Sequence, residues 1–137
     1  MRGDVAMSGN FGYELDLTKF TDDEKNEVRS QVERYKEMRG FLQSGDLYRL
    51  LSPFETNNAA WEIISEDGKQ VFAAYFRIQS QVNTGISRMR FAGLEPEGRY
   101  RDTDTGDVWF GDELMQIGIV VDFYGDYQSR TWLLVKQ

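Results

Sequence analysis

Six consecutive apolar residues, Val71-Phe-Ala-Ala-Tyr-Phe76, follow the turn pair Asp67-Gly68. A strand sends successive side chains to opposite faces, so a run with no polar member is buried on both of them. A fold that contains it therefore needs cover above and below one central strand. Asp-Gly is a hairpin signal. Residues 69–78 thus read as the return strand of a hairpin whose first arm is residues 59–65, around Trp61, Ile63 and Ile64. More strands flank this pair. Leu47-Tyr-Arg-Leu-Leu51 is extended and ends at Ser52-Pro53. Arg88-Met-Arg-Phe91 and Arg99-Tyr-Arg101 alternate charged and apolar residues, and Val108-Trp-Phe110 follows a turn at Thr105-Gly106. Residues 114–121 read as an apolar strand with Gly118 inside it, and residues 127–135, with Trp132 and Leu134, as the last strand. Short strands at this spacing predict an antiparallel β-sandwich.

The first fifty residues read differently. Thr21-Asp-Asp-Glu24 is a helix start: Thr21 can cap, Glu24 can reach back to it, and the acids suit the positive end of the helix dipole. Val28, Val32, Tyr35 and Met38 then form one apolar stripe at helical spacing, which predicts a helix over residues 22–39 with Gly40 as its stop. Before it, residues 4–9 read as a short strand through Val5, Ala6 and Met7, followed by an irregular loop. Gly9 and Gly12 in that stretch suit a close backbone approach or a positive φ. The expected fold class is mainly β: an antiparallel sandwich preceded by one strand and one amphipathic helix. Pro53 divides the chain into residues 1–53 and 54–137.

Composition narrows the chemistry. The chain has 137 residues, enough for one domain or one domain with part of another, and 14% of them are aromatic, enough to fill a core. Sixteen basic residues against 23 acidic ones give a net charge of −7, which disfavours nucleic acid and anionic membrane surfaces as partners. Without cysteine there is no disulfide framework, iron–sulfur site or thiol nucleophile. Without histidine there is no Ser-His-Asp triad, and most zinc sites are excluded. No apolar run approaches the ~20 residues of a membrane span, and residues 1–10 do not read as a signal peptide. The expected location is the cytoplasm, unless a segment outside this sequence carries an address.

Acid–base work would fall to carboxylates. Asp102-Thr-Asp104-Thr-Gly106-Asp107 partly matches a calcium loop, but the glycine is one place early and the flanks read as strands, so a hairpin turn is the better reading. Asp112-Glu113 reads as a solvated turn, and Glu14 and Asp16 alternate with leucines on a half-exposed segment. None of these shows the two carboxyls held apart at a defined distance that general acid–base catalysis needs. Arg2-Gly-Asp4 is a tripeptide expected often by chance. Trp61 and Trp132 sit in apolar strands and read as core. Trp109 is balanced between core and a sugar-stacking platform.

Three longer stretches carry more information: Arg2-Gly-Asp-Val-Ala-Met-Ser-Gly-Asn-Phe-Gly-Tyr-Glu-Leu-Asp-Leu17, Leu42-Gln-Ser-Gly-Asp-Leu-Tyr-Arg-Leu-Leu-Ser-Pro-Phe54 and Gly111-Asp-Glu-Leu-Met115. In this order they resemble the C-terminal end of bacterial α-galactosidases of glycoside hydrolase family 36, and the resemblance covers essentially the whole chain. It implies a (β/α)8 barrel followed by a β-sandwich, with residues 4–10 as the last barrel strand, 22–39 as the last barrel helix and residues from about 55 onward as the sandwich. The family's nucleophile lies in a Lys-Trp-Asp-like motif on an earlier strand, and that motif is absent here.

The resemblance therefore implies no catalytic residue in this chain, and no metal or cofactor. It implies a structural C-terminal portion of a retaining enzyme that releases α-linked galactose from melibiose- and raffinose-type sugars, a fragment or truncated product without activity of its own. Its partners would be the rest of the barrel or a homo-oligomer. Barrel active sites form at the C-terminal ends of the strands, so Ser8, Gly9 and Asn10 are candidates to line the pocket of a complete barrel. The alternative is a free-standing carbohydrate-binding or protein-interaction module with Trp109 as its platform.

Overall fold

The structure is a computed structural model that describes residues 1–83 and 85–137. Helix α1 spans Arg2–Met7 and a single 3-10 turn spans Leu17–Lys19. Helix α2 spans Asp22–Ser44. Strands β1 (Asp46–Leu51), β2 (Asn58–Ile64), β3 (Gln70–Arg77), β4 (Ser87–Met89), β5 (Arg99–Asp102) and β6 (Val108–Phe110) follow. Helix α3 (Gly111–Gln116) and strands β7 (Ile119–Val121) and β8 (Gln128–Lys136) complete the chain. Six strands form one antiparallel sheet in the order β1-β2-β3-β8-β5-β6, and β4 pairs with β7 in a second, smaller one. Strand β1 precedes Pro53 yet belongs to the same sheet as β2.

The apolar run works as its pattern demands. Strand β3 lies between β2 and β8, and every residue from Val71 to Phe76 is buried. Phe72, Ala74 and Phe76 face one core with Ala59 and Ile63 of β2 and with Tyr35, Met38, Phe41 and Leu42 of α2. Val71, Ala73 and Tyr75 face the other core with Trp132 and Leu134 of β8, under Met89, Phe91, Leu94, Leu114 and Val121. The six-stranded sheet is thus the middle layer, with α2 on one side and β4, β7 and α3 on the other. Each fully buried large side chain contributes about 1.5–3 kcal/mol, and these two interfaces hold the layers together.

The start of α2 is the capping box its sequence announces. Thr21 Oγ1 accepts from the Glu24 amide at 3.3 Å, and Glu24 Oε2 accepts from the Thr21 amide at 2.8 Å. The Thr21 backbone amide, and after it the Thr21 hydroxyl, hold the Glu24 carboxyl below its usual range. Of the stripe, Tyr35 and Met38 are buried, while Val28 and Val32 are half-buried.

Three expectations are corrected. Residues 4–9 are not a strand: α1 covers Arg2–Met7, with the Val5 amide bonded to the Met1 carbonyl at 3.1 Å and the Gly9 amide to the Ala6 carbonyl at 3.1 Å. No strand pairs with this segment among the described residues, and local helical bonds satisfy amides that a lone strand leaves open. Helix α2 does not stop at Gly40 but runs on to Ser44. A glycine inside a helix costs about 1 kcal/mol, which the burial of Phe41 and Leu42 just beyond it offsets. The stop is Gly45, where an added Cβ would lie 2.4 Å from the Ile64 carbonyl oxygen. Finally, residues 114–121 are not one strand. Asp112 and Glu113 form the acidic first turn of α3, and Gly118 at φ +75° turns the chain into β7. The Gly118 amide bonds back to the Glu113 carbonyl at 3.0 Å, the usual use of a left-handed residue after a helix.

No helix among the described residues is long and apolar enough to cross a membrane.

Candidate functional site

Ser8, Gly9 and Asn10 follow directly on α1. Ser8 Oγ accepts from Trp61 Nε1 of β2 at 2.5 Å, and the Gly9 carbonyl accepts from the Tyr35 hydroxyl of α2 at 2.8 Å. The segment is therefore tied to both the sheet and the long helix. Trp61 is fixed from behind by stacking on Phe76, with ring centroids 4.5 Å apart. Phe11 stacks on Tyr35 at 5.3 Å, and Tyr13 meets Phe11 edge-on at 5.4 Å. Aromatic packing of this kind gives an otherwise irregular loop a defined path. Gly9 and Gly12 do not provide close approach: an added Cβ at either would meet nothing within 4 Å, and neither has a positive φ.

A groove of about 640 Å³ opens beside this segment along β1, lined by Ser8, Leu42, Leu47, Leu51, Phe54 and Trp61. It is mostly apolar, and the Phe54 ring at its rim is 98% exposed. Glu55 is the one acid among its described lining residues. Hydrolysis of a glycosidic bond by the usual route takes two carboxyl groups about 5–9.5 Å apart, one on each side of the bond. The groove holds no such pair.

Several carboxylates elsewhere are engaged structurally. Asp102 is buried and accepts from the Asp104 amide at 3.0 Å and from Thr105 Oγ1 at 3.3 Å. Asp104 pairs with Arg34 of α2 at 2.8 Å. Gly106 at φ +80° closes the turn between β5 and β6, so the stretch that partly matches a calcium loop is a hairpin turn. No group of three or more potential metal ligands occurs among the described residues. Asp16 is held below the usual carboxylate range by the Thr18 hydroxyl and amide. Asp4, within the Arg-Gly-Asp tripeptide, accepts from Ser129 Oγ of β8 at 2.6 Å.

Trp109 lies elsewhere. It sits half-buried in the edge strand β6, opposite Tyr100, and packs against the core beneath β4, β7 and α3. Three strands separate β6 from β2, and Trp61 packs on the other face of the sheet. The structure therefore does not bring Trp109 together with Ser8, Gly9 and Asn10.

One group escaped the sequence reading. Glu62, between Trp61 and Ile63, is wholly buried in β2. Its Oε1 accepts from the Ala92 amide at 2.6 Å, while Oε2 has no partner among the described residues. Burial pushes its carboxyl up to about 8, against the opposing pull of the Ala92 amide. The signal was available as a lone acid inside an apolar strand. It passed unnoticed because such a strand normally keeps one wet face.

The family model described as the glycosyl hydrolase family 36 C-terminal domain matches residues 58–134, more than half of the chain. The chain belongs to glycoside hydrolase family 36. A second model, described as melibiase, matches residues 1–45. Among family 36 relatives, the α-galactosidase AgaA of Geobacillus stearothermophilus is 46% identical over 134 residues, which is 97% of this chain and 18% of that enzyme. The α-galactosidase Mel36A of Lactobacillus acidophilus is 36% identical, over 96% of this chain and 18% of its own length. The crystal structure of a variant of AgaA in complex with raffinose superposes with a TM-score of 0.93 at 44% identity, covering 99% of this chain and 19% of that one. The galactosidase domain of AgaSK, an α-galactosidase–sucrose kinase, gives 0.93 at 31% identity. This chain thus spans about a fifth of the length of the relatives it matches.

Proposed function

We propose that this chain serves as the C-terminal portion of a family 36 α-galactosidase, structural in role, and that the enzyme's chemistry lies on residues outside it. The observation that carries this reading is the match of nearly all of the chain to about a fifth of several α-galactosidases, with both model boundaries falling beside β1. On this reading residues 1–45, which the melibiase model covers, complete the catalytic barrel, and the sheet from β1 onward forms the sandwich behind it, so the division falls before β1 rather than at Pro53. The whole enzyme would release terminal α-galactose from raffinose-type sugars by double displacement, through a galactosyl-enzyme intermediate. Ser8, Gly9 and Asn10 would line its pocket: they lie within the residues that the melibiase model covers, and Ser8 opens onto the groove beside β1. The preceding part of the barrel is the partner, with a homo-oligomer as the second choice. Exposed apolar side chains favour such cover, notably Val5, Leu47 and Phe54. The absence of cysteine suits a reducing cytoplasm.

A sugar-binding or interaction module around Trp109 is the second reading, favoured only by the partial exposure of that ring. Galactosides that quench tryptophan fluorescence would support it.

The 137-residue chain is expected to release no nitrophenol from a nitrophenyl α-galactoside above the buffer rate. Turnover that disappears when an Asp or Glu of this chain is replaced would overturn the proposal.

A further inference from the structure

Glu62 belongs to a row that crosses the sheet on one face. Tyr48 of β1, Glu62 of β2, Ala73 of β3 and Trp132 of β8 are successive register partners, and residues paired directly across strands point to the same side. Ala73 contributes only a methyl group, so no long side chain stands between Glu62 and Trp132. Both Glu62 Oε2 and Trp132 Nε1 are buried without a hydrogen-bond partner among the described residues.

The segment from Phe91 to Leu94 lies over this row, with both of those side chains in the shared core. Two members of the row fasten it. Glu62 Oε1 takes the Ala92 amide at 2.6 Å. The Tyr48 ring packs against Gly93, which has φ +66° and where an added Cβ would lie 2.7 Å from the ring. The segment continues from β4, and its Phe91 amide donates to the Leu114 carbonyl of α3 at 3.2 Å. What holds Ala92 therefore holds the outer layer.

No cation compensates the buried acid among the described residues. On this face β3 offers Val71, Ala73 and Tyr75. Strand β8 offers Trp132, with the Arg130 guanidinium 5.2 Å from its ring and itself paired to Asp122. Strand β1 offers Tyr48. Arg88 of β4 and Arg90 of the overlying segment are turned to solvent, as are Asp112 and Glu113 of α3. None of them forms an ion pair with Glu62 among the described residues.

We propose that Glu62 is a proton-gated latch, whose neutral carboxyl fastens the Phe91–Leu94 segment and the outer layer to the six-stranded sheet and whose ionisation loosens them. A lone buried carboxylate with one hydrogen bond is far more costly than the neutral acid. The elevation to about 8 from an ordinary 4.5 agrees with this. The folded chain keeps a proton that the unfolded chain gives up above 4.5, so this group's contribution falls as the pH rises from about 4.5 to about 8 and changes little outside that window.

The test is Glu62→Gln, which stays neutral at every pH and retains an oxygen for the Ala92 amide. Urea unfolding of the 137-residue chain should give nearly equal stabilities for the two proteins at pH 4.5. At pH 8.5 the variant's unfolding constant should be smaller by between about 10- and 1000-fold. Hydrogen exchange at the Ala92 amide, corrected for the unstructured-chain rate, should rise with pH in the native sequence and stay flat in the variant. Parallel pH curves for the two proteins would overturn the proposal. If Glu62→Gln fails to fold, the carboxyl carbon shift of Glu62 in the native chain decides: titration near 8 supports the latch, and titration near 4.5 overturns it.

Discussion

Replacing Gly118 with alanine is expected to destabilise the chain by about 2–5 kcal/mol, from two separate causes. Gly118 has φ +75°, which costs an L-residue roughly 1–2 kcal/mol. Its new Cβ would also lie 2.3 Å from the Met89 carbonyl oxygen and 2.9 Å from the Met89 carbonyl carbon. These are backbone atoms that no rotamer change can move, and overpacking of this kind costs about 1–3 kcal/mol. Met89 pairs with Ile119 in the smaller sheet, so the clash is expected to push β4 away from β7 and open the outer layer. Gly125→Ala separates the two causes. Gly125 has φ +86°, but nothing lies within 4 Å of an added Cβ. It should show the conformational cost alone, about 1–2 kcal/mol. Urea midpoints for the two variants check this, and equal losses would mean that the Met89 backbone yields to the new Cβ without cost.

The second large effect is expected on the opposite face. Phe72 is fully buried and shares its core with Tyr35, Met38, Phe41 and Leu42 of α2. Phe72→Ala should cost roughly 3–5 kcal/mol through lost burial and the cavity left behind. The damage should be local first. Helix α2 is highly charged along its outer faces and is anchored to the sheet mainly through its last three turns. Removing the ring should therefore reduce amide protection in residues 35–44 before it reaches the β3–β8 ladder. Thermal unfolding and residue-resolved hydrogen exchange measure the two consequences. Phe54→Ala is the contrast: with its ring 98% exposed, it should change stability by no more than about 0.5 kcal/mol.

These two variants probe the parts of the fold that were easiest and hardest to read from the sequence. Phe72 sits in the run that demanded a double-sided central strand, and that demand is met by α2 below and the small sheet above. The start of α2 was equally legible, because Thr21 and Glu24 carry a reciprocal hydrogen-bond pattern within four residues. Gly118 marks the opposite case. Residues 114–121 are apolar enough for a strand, and only the left-handed glycine reveals that the chain changes direction there. The same glycine residue type misled at Gly40, where burial of the next two side chains outweighs a weak local preference. For Arg2–Met7, strand and helix were separated by whether a neighbouring strand pairs with it, which no local pattern records.

The candidate site was less legible than the fold. Ser8 was reached through the resemblance to a barrel, and its bond to Trp61 joins residues 53 positions apart, which no spacing rule anticipates. Trp61 read as core, and it does pack on Phe76, yet its ring nitrogen is what fixes the Ser8 hydroxyl. Glu62 was invisible because its role depends on the segment lying over β2, thirty residues further along the chain.

The central claim is that this chain can serve as the C-terminal portion of an α-galactosidase. The most direct measurement replaces the corresponding residues of the Geobacillus stearothermophilus enzyme, to which the chain is 46% identical, with these 137 residues and follows galactose release from raffinose. A folded chimera that cleaves raffinose at a rate comparable with its parent is the predicted result. A folded chimera with no turnover would contradict the claim.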